Sequence, residues 1–180
     1  MACDSPFIVT VSNRKGGTAK TTTAVNLAAE WAERGMRTLL IDLDPQSHAA
    51  VGLGVTPRRD TPTAHDAFEG DKPDITEGIH DTAFAGLSLI PARPDFDGQM
   101  PDPDPLALSR ALVTPAILCF DVIVLDTPAS PDPLLLAALA AADAAVIPLV
   151  PHYLAGDGAQ RLAERFTRIA DTVNPNLRQL

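Results

Sequence analysis

The stretch SNRKGGTAKTTT, Ser12 to Thr23, follows a short β-branched run, FIVTV (Phe7 to Val11), and leads into a segment where Ala24, Leu27, Ala28 and Trp31 recur at helical spacing. Gly35 closes that segment, so a helix is predicted from Thr21 to Arg34 and the whole reads as strand, turn, helix. With Gly16 and Gly17 in the turn and a helix beginning near Lys20, successive backbone N–H groups and the positive end of the helix aim at one point in space. Such a point suits a phosphate. Lys20 at the helix start can neutralise terminal phosphates, and the Thr21 hydroxyl can serve the magnesium ion that accompanies them. Measured against the usual phosphate-loop pattern G-x-x-x-x-G-K-[ST], however, the stretch carries Arg14 and Ala19 where glycine is required.

Working outward, apolar runs alternate with helical stretches. Thr38 to Ile41 (TLLI) reads as a strand ended by Asp42 and by Pro45, which cannot continue a ladder. Leu87 to Ile90, Val122 to Leu125 (VIVL, ending at Asp126) and Ala145 to Ile147 read as further strands. Helices are expected near Ala64 to Phe68, over Ala107 to Leu112 and Leu134 to Ala142, and over Gly156 to Val173, where Leu162, Phe166, Ile169 and Val173 share a face. Thr56 to Pro105 is rich in proline and aspartate and reads as structured but loop-rich. The alternation predicts an α/β fold, a mostly parallel sheet with helices on both faces and ligands at the carboxyl ends of the strands. The loop, Asp42, Asp44, Asp126 and Pro148 all fall at such ends.

At 180 residues and 46% hydrophobic content the chain suits a single domain, 1–180. Met1 to Pro6 has no basic region followed by an apolar core, and no apolar run is long enough to span a bilayer, so a cytoplasmic protein is expected. Cys3 and Cys119 form no metal or disulfide pattern, and His48, His65, His80 and His152 show no ligand spacing, which suggests surface or loop histidines. The net charge of -9 argues against indiscriminate nucleic-acid binding by the whole chain. The acidity is uneven: residues 1–46 hold five basic and five acidic residues, residues 56–110 five and eleven. Beyond a Debye length of about 8 Å that excess is screened, so an anion at the loop feels chiefly Arg14, Lys15, Lys20 and nearby amides.

The arrangement K-G-G-x-x-K-[ST], Lys15 to Thr21, resembles the deviant Walker A motif of the ParA/MinD (Soj-like) family of partitioning and positioning ATPases, which belong to the P-loop NTPases. The resemblance extends along the chain: LLIDLDPQ (Leu39 to Gln46), LSLIPARPDFDG (Leu87 to Gly98), FDVIVLDTPAS (Phe120 to Ser130) and VIPLVPHYLAGDG (Val146 to Gly158) fit the family in order and spacing. In that family the position of Arg14 varies and the added lysine, here Lys15, defines the group. Glycine is usual where Ala19 stands, and alanine suits that backbone only at negative φ; nucleotide binding is expected to survive it. Relative to the family the chain looks C-terminally shortened after NPNLRQL (Asn174 to Leu180).

The resemblance implies ATP or ADP with Mg2+ as ligands. Gly16, Gly17, Thr18, Ala19, Lys20, Thr21 and Thr22 would cradle the phosphates, with Pro148 and the segment after it on the side of the base. Thr21 and Asp126 would serve the metal, Asp42 would orient its shell, and Asp44 would hold the attacking water. An aspartate before a turn also caps backbone amides, a reading open for both Asp42 and Asp44. Lys15 would cross a dimer interface to the partner's nucleotide, making an ATP-dependent homodimer that reports the γ-phosphate.

The implied function is a ParA-type ATPase, slow until stimulated by a ParB-like activator, bound to nonspecific DNA and so to the nucleoid in its ATP state, and moving DNA or another large cargo. Arg161, Arg165 and Arg168 share a helix face that could join a DNA surface or be merely solvated. With no helix-turn-helix ahead of the loop, autoregulation by operator binding is not expected. The alternatives are a MinD-like membrane-associated ATPase, for which a basic amphipathic C-terminal helix is wanting, an iron-sulfur carrier, for which paired cysteines are wanting, and a non-catalytic nucleotide-binding module.

Overall fold

The strands are the runs that bury both faces. In the computed structural model, which describes residues 5–70, 73–97, 100, 103–129, 133–149, 164, 168 and 174–179, they are Phe7–Val11 (β1), Thr38–Asp42 (β2), His80–Asp81 (β3), Leu87–Ile90 (β4), Val122–Asp126 (β5), Ala144–Val146 (β6) and Arg178–Gln179 (β7). They form one sheet in the order β3-β4-β2-β5-β1-β6-β7, parallel except for the β3 edge. Every residue of β2 and β5 is buried, as expected of central parallel strands covered on both sides.

Side chains alternate between two cores, following the period of two along each strand. Leu39, Ile41, Ile90, Ile123 and Leu125 pack on one face with the helices Ala107–Ala111 and Pro133–Ala141; Leu40, Leu89, Val122 and Val124 pack on the other with Lys20–Glu33 and His48–Gly52. In chain order these helices are α1 (Lys20–Glu33), α2 (His48–Gly52), α3 (Ala107–Ala111) and α4 (Pro133–Ala141). The predicted α/β sandwich is therefore the observed one.

Its details differ where contacts outweigh periodicity. The buried stripe of α1 is Lys20, Ala24, Ala28 and Ala32, whereas Leu27 and Trp31 are only partly covered. Alanines four apart let the helix axis approach the sheet, leaving the bulkier pair at its flank. The short helix expected near Ala64 to Phe68 is present as a 3-10 helix, held by Asp66, which accepts from the Thr63 amide and hydroxyl. The strand expected at Ala145 to Ile147 begins one residue earlier, at Ala144. The helix expected over Gly156 to Val173 lies outside the described residues, apart from Glu164 and Arg168, both helical. No helix among the described residues is long and apolar enough to cross a membrane.

Candidate functional site at the carboxyl ends of the strands

β1, β2 and β5 are neighbours in the sheet and end together. The loop after β1 leaves the sheet with the Ser12 amide bonded to the Val146 carbonyl at 3.0 Å. Gly16 and Gly17 are exposed, Gly17 has φ +72°, and a Cβ built on either would meet nothing within 4 Å. Thr18 is buried, Thr21 partly so, and Ala19 and Thr22 are exposed. The first backbone bond of the helix runs from the Thr23 amide to the Ala19 carbonyl at 2.9 Å, so the amides of Lys20, Thr21 and Thr22 stand at the head of the helical ladder. Ala19 itself has φ 62° and ψ 34°. The condition of negative φ is thus not met, and the loop keeps the left-handed turn that glycine would adopt freely, at a cost of roughly 1–2 kcal/mol.

Lys20 is 7% exposed at the first position of α1, where the helix end is already positive and no acidic residue occupies the first turn. Alone, a buried ammonium there is doubly unfavourable; an anion at the same point reverses both terms. Part of the compensation lies in the chain, because Asp126 senses the charge of Lys20.

Asp42 and Asp126 are paired across adjacent strands, and both are fully buried. Asp42 accepts from the Asp44 amide at 3.0 Å and the Ala49 amide at 3.2 Å, and burial together with the charge of Asp126 pushes it up to about 8 despite those bonds. Neither carboxylate oxygen of Asp126 has a hydrogen-bond partner. Burial pushes Asp126 up to about 6, opposed by the nearby Thr21 hydroxyl and the charges of Lys20 and His48 and reinforced by Asp44. Two facing carboxylates, one without a hydrogen-bond partner, fit a hard cation with oxygen ligands. Among the described residues no cluster of three or more acidic, histidine or cysteine side chains could hold a metal alone, so such a cation would need other oxygens, as a phosphate and water provide.

Asp44, partly exposed, accepts from the Gln46 amide at 3.0 Å. Amide capping is therefore present at both aspartates. The loop residues, Asp42, Asp44 and Asp126 thus share one end of the sheet, and Pro148 sits two residues past β6 beside them, its carbonyl bonded to Asn13 at 2.8 Å. Lys15 is exposed on the loop.

The expectation of four surface histidines fails for two. His65 is fully buried, accepts from the Arg93 amide at 3.0 Å and stacks on Phe96 at 4.1 Å; burial lowers it to about 4. His80 is 9% exposed and bonds the Gly78 carbonyl and the Arg58 amide. His48 is exposed beside the site, while His152 and Cys3, like Arg161 and Arg165, lie outside the described residues. His48 is a neighbour of Asp126 that sequence reasoning missed, since it opens α2 and five residues of turn separate it from the end of β2.

Comparison with known proteins bears on this geometry. A family model described as an AAA domain matches residues 7–179. The chain is 39% identical over 175 residues to the chromosome partitioning protein ParA of Myxococcus xanthus, covering 95% of this chain and 62% of that protein. It is also 39% identical over 175 residues to the chromosome-partitioning ATPase Soj of Thermus thermophilus, covering 96% and 66%. The chain spans less than two thirds of the length of either relative. A crystal structure of cobyrinic acid a,c-diamide synthase from Mycobacterium smegmatis, with bound ADP and magnesium, superposes with a TM-score of 0.83 at 31% identity, over 97% of this chain and 72% of that one.

Proposed function

The chain belongs to the ParA/Soj family of partitioning ATPases, and on that premise we propose that it binds ATP with magnesium, hydrolyses it slowly, and uses the γ-phosphate to switch from monomer to dimer. The observation that carries this reading is Lys20, buried at the positive end of α1 beside the two partnerless oxygens of Asp126. Both features suit a magnesium polyphosphate seated at the loop.

In this reading the amides from Gly16 to Thr22 and the Lys20 ammonium hold the terminal phosphates. Thr21 and Asp126 hold the metal, and Asp42 fixes the turn after β2 through the Asp44 and Ala49 amides and orients the metal's shell. The bound magnesium supplies charge neutralisation across the phosphates. Asp44, anchored through the Gln46 amide, keeps its outer oxygen for the attacking water. Lys15 reaches the nucleotide of a second copy, so that association depends on a phosphate present in ATP and lost in ADP. Pro148 flanks the base.

The wider role follows the relatives. The ATP-bound dimer binds nonspecific DNA, associates with the nucleoid, and is released when a ParB-like activator stimulates hydrolysis. Light scattering of the Asp44→Ala variant with magnesium tests the switch: a dimer with ATP and a monomer with ADP are expected, and a monomer in both sinks it. DNA retention should be stronger with ATP than ADP and fall steeply with salt; equal retention with the two nucleotides would remove the DNA part of the proposal.

A further inference from the structure

Lys15 presents an exposed side chain on a backbone pinned at both ends by buried polar groups. Its amide donates to Asn13 Oδ1 at 2.9 Å, and its carbonyl accepts from the Thr18 hydroxyl at 3.2 Å. Asn13 is 8% exposed and Thr18 4%. The other end of the Asn13 amide, Nδ2, donates to the carbonyl of Pro148 at 2.8 Å. Only one orientation of the amide group satisfies both contacts, because turning it over sets donor against donor and acceptor against acceptor. One side chain therefore ties the loop after β1 to the segment after β6.

We infer that Asn13 is a positioning residue that sets the backbone from which Lys15 projects, by clamping the Lys15 peptide to the end of β6. A lysine that must reach across an interface carries rotamer entropy along its whole stem. Fixing its Cα leaves only that stem to be ordered on association, whereas a loose loop adds backbone freedom to what must be lost. The inference rests on the switch reading for its consequence, while the clamp itself is a property of the chain without nucleotide.

Two arms test it on the full chain. The first is amide exchange of the nucleotide-free protein by NMR: Asn13→Ala should expose the Lys15 amide to exchange, whereas Asn13→Asp, which keeps an acceptor for that amide but sets a carboxylate against the Pro148 carbonyl, should protect it only in part. Unchanged exchange at Lys15 in Asn13→Ala overturns the inference. The second arm adds Asn13→Ala to Asp44→Ala and follows ATP-dependent dimerisation by light scattering. A loss of about tenfold in dimer affinity, the worth of one such bond, is expected, with ADP affinity, read by calorimetry, unchanged within about twofold. Combined with Lys15→Ala, the Asn13 substitution should cost nothing further, because it acts through that lysine. A fully additive loss overturns the assignment. If Asp44→Ala fails to dimerise with ATP, the switch reading falls, and the exchange arm still decides the clamp.

Discussion

Two clusters of charged groups lie at the edges of the core and end differently. In one, Arg93 reaches Asp66 at 2.7 Å and Glu69 at 2.6 Å, and Asp66 also accepts from the Thr63 amide and hydroxyl. Burial alone would raise Asp66, but the Thr63 bonds and the Arg93 charge together hold it below its ordinary value. In the other, neither oxygen of Asp126 completes a hydrogen bond, the nearby Thr21 hydroxyl only moderates its rise to about 6, and Asp42 beside it is raised to about 8. The first cluster is complete within the chain and serves the fold. The second is stabilised by its own residues only in part, which is the electrostatic mark of a place built for a ligand.

The largest expected effect would set the two clusters moving in opposite directions. Asp126→Asn should weaken binding of magnesium ATP by at least about a hundredfold, since a metal contact is worth several kcal/mol. The same change should stabilise the nucleotide-free chain by roughly 2–3 kcal/mol above pH 6, because a carboxylate whose folded pKa is raised loses stability as pH climbs through the unfolded and then the folded value. Asp66→Asn should instead destabilise by about 1–2 kcal/mol. Calorimetric titration and urea unfolding read both. If the two variants lost stability alike, the contrast between the clusters would be broken.

A second test uses pH on His65, which adjoins the first cluster and whose buried Nε2 has no hydrogen-bond partner. His65 is lowered from 6.5 to about 4, so the fold favours its neutral form, and its contribution is present above pH 6.5 and lost as pH falls toward 4. The loss at pH 4 is at most about 3 kcal/mol. Over the same range Asp42 and Asp126 act oppositely, gaining protons that stabilise the fold. Urea midpoints measured from pH 4.5 to 7.5 for the parent and for His65→Gln should therefore diverge in slope, the variant losing less on the acid side. Parallel slopes would mean that His65 is not held neutral by its surroundings.

What was legible in the sequence was whatever is local and repeated. TLLI and VIVL announce buried parallel strands by being apolar throughout, and the aspartate closing each run marks the strand end where chemistry gathers. The phosphate loop was legible because glycines, lysine and threonine sit within seven residues. The five residues of α2 and the two each of β3 and β7 are too short for any period to show. They are set by distant partners: Ala49 bonds Asp42, and the Arg178 amide bonds the Asp143 carbonyl. The buried state of His65 likewise depends on Arg93 and Phe96, about thirty residues away. That Asp126 lacks a partner is a statement about three dimensions and has no sequence signal.

The smallest expected effect concerns strain. Among the described residues only Ala19 and Ser47 combine a side chain with positive φ, at 62° and 52°, and both precede helices flanking the open cluster; none lies in the Thr63–Arg93 network. Ala19→Gly removes a left-handed penalty of roughly 1–2 kcal/mol and adds about 0.4–1 kcal/mol of unfolded-chain entropy, leaving a net gain of about 0.8 kcal/mol. That corresponds to a rise in Tm of about 2–3 °C for a chain of this size. Because the loop already adopts the turn that glycine would take, and Ala19 is exposed, ADP affinity should change by less than about twofold. A much larger gain in nucleotide affinity would mean that the methyl group obstructs the phosphates, and that the loop shape seen here is right while its surface is not.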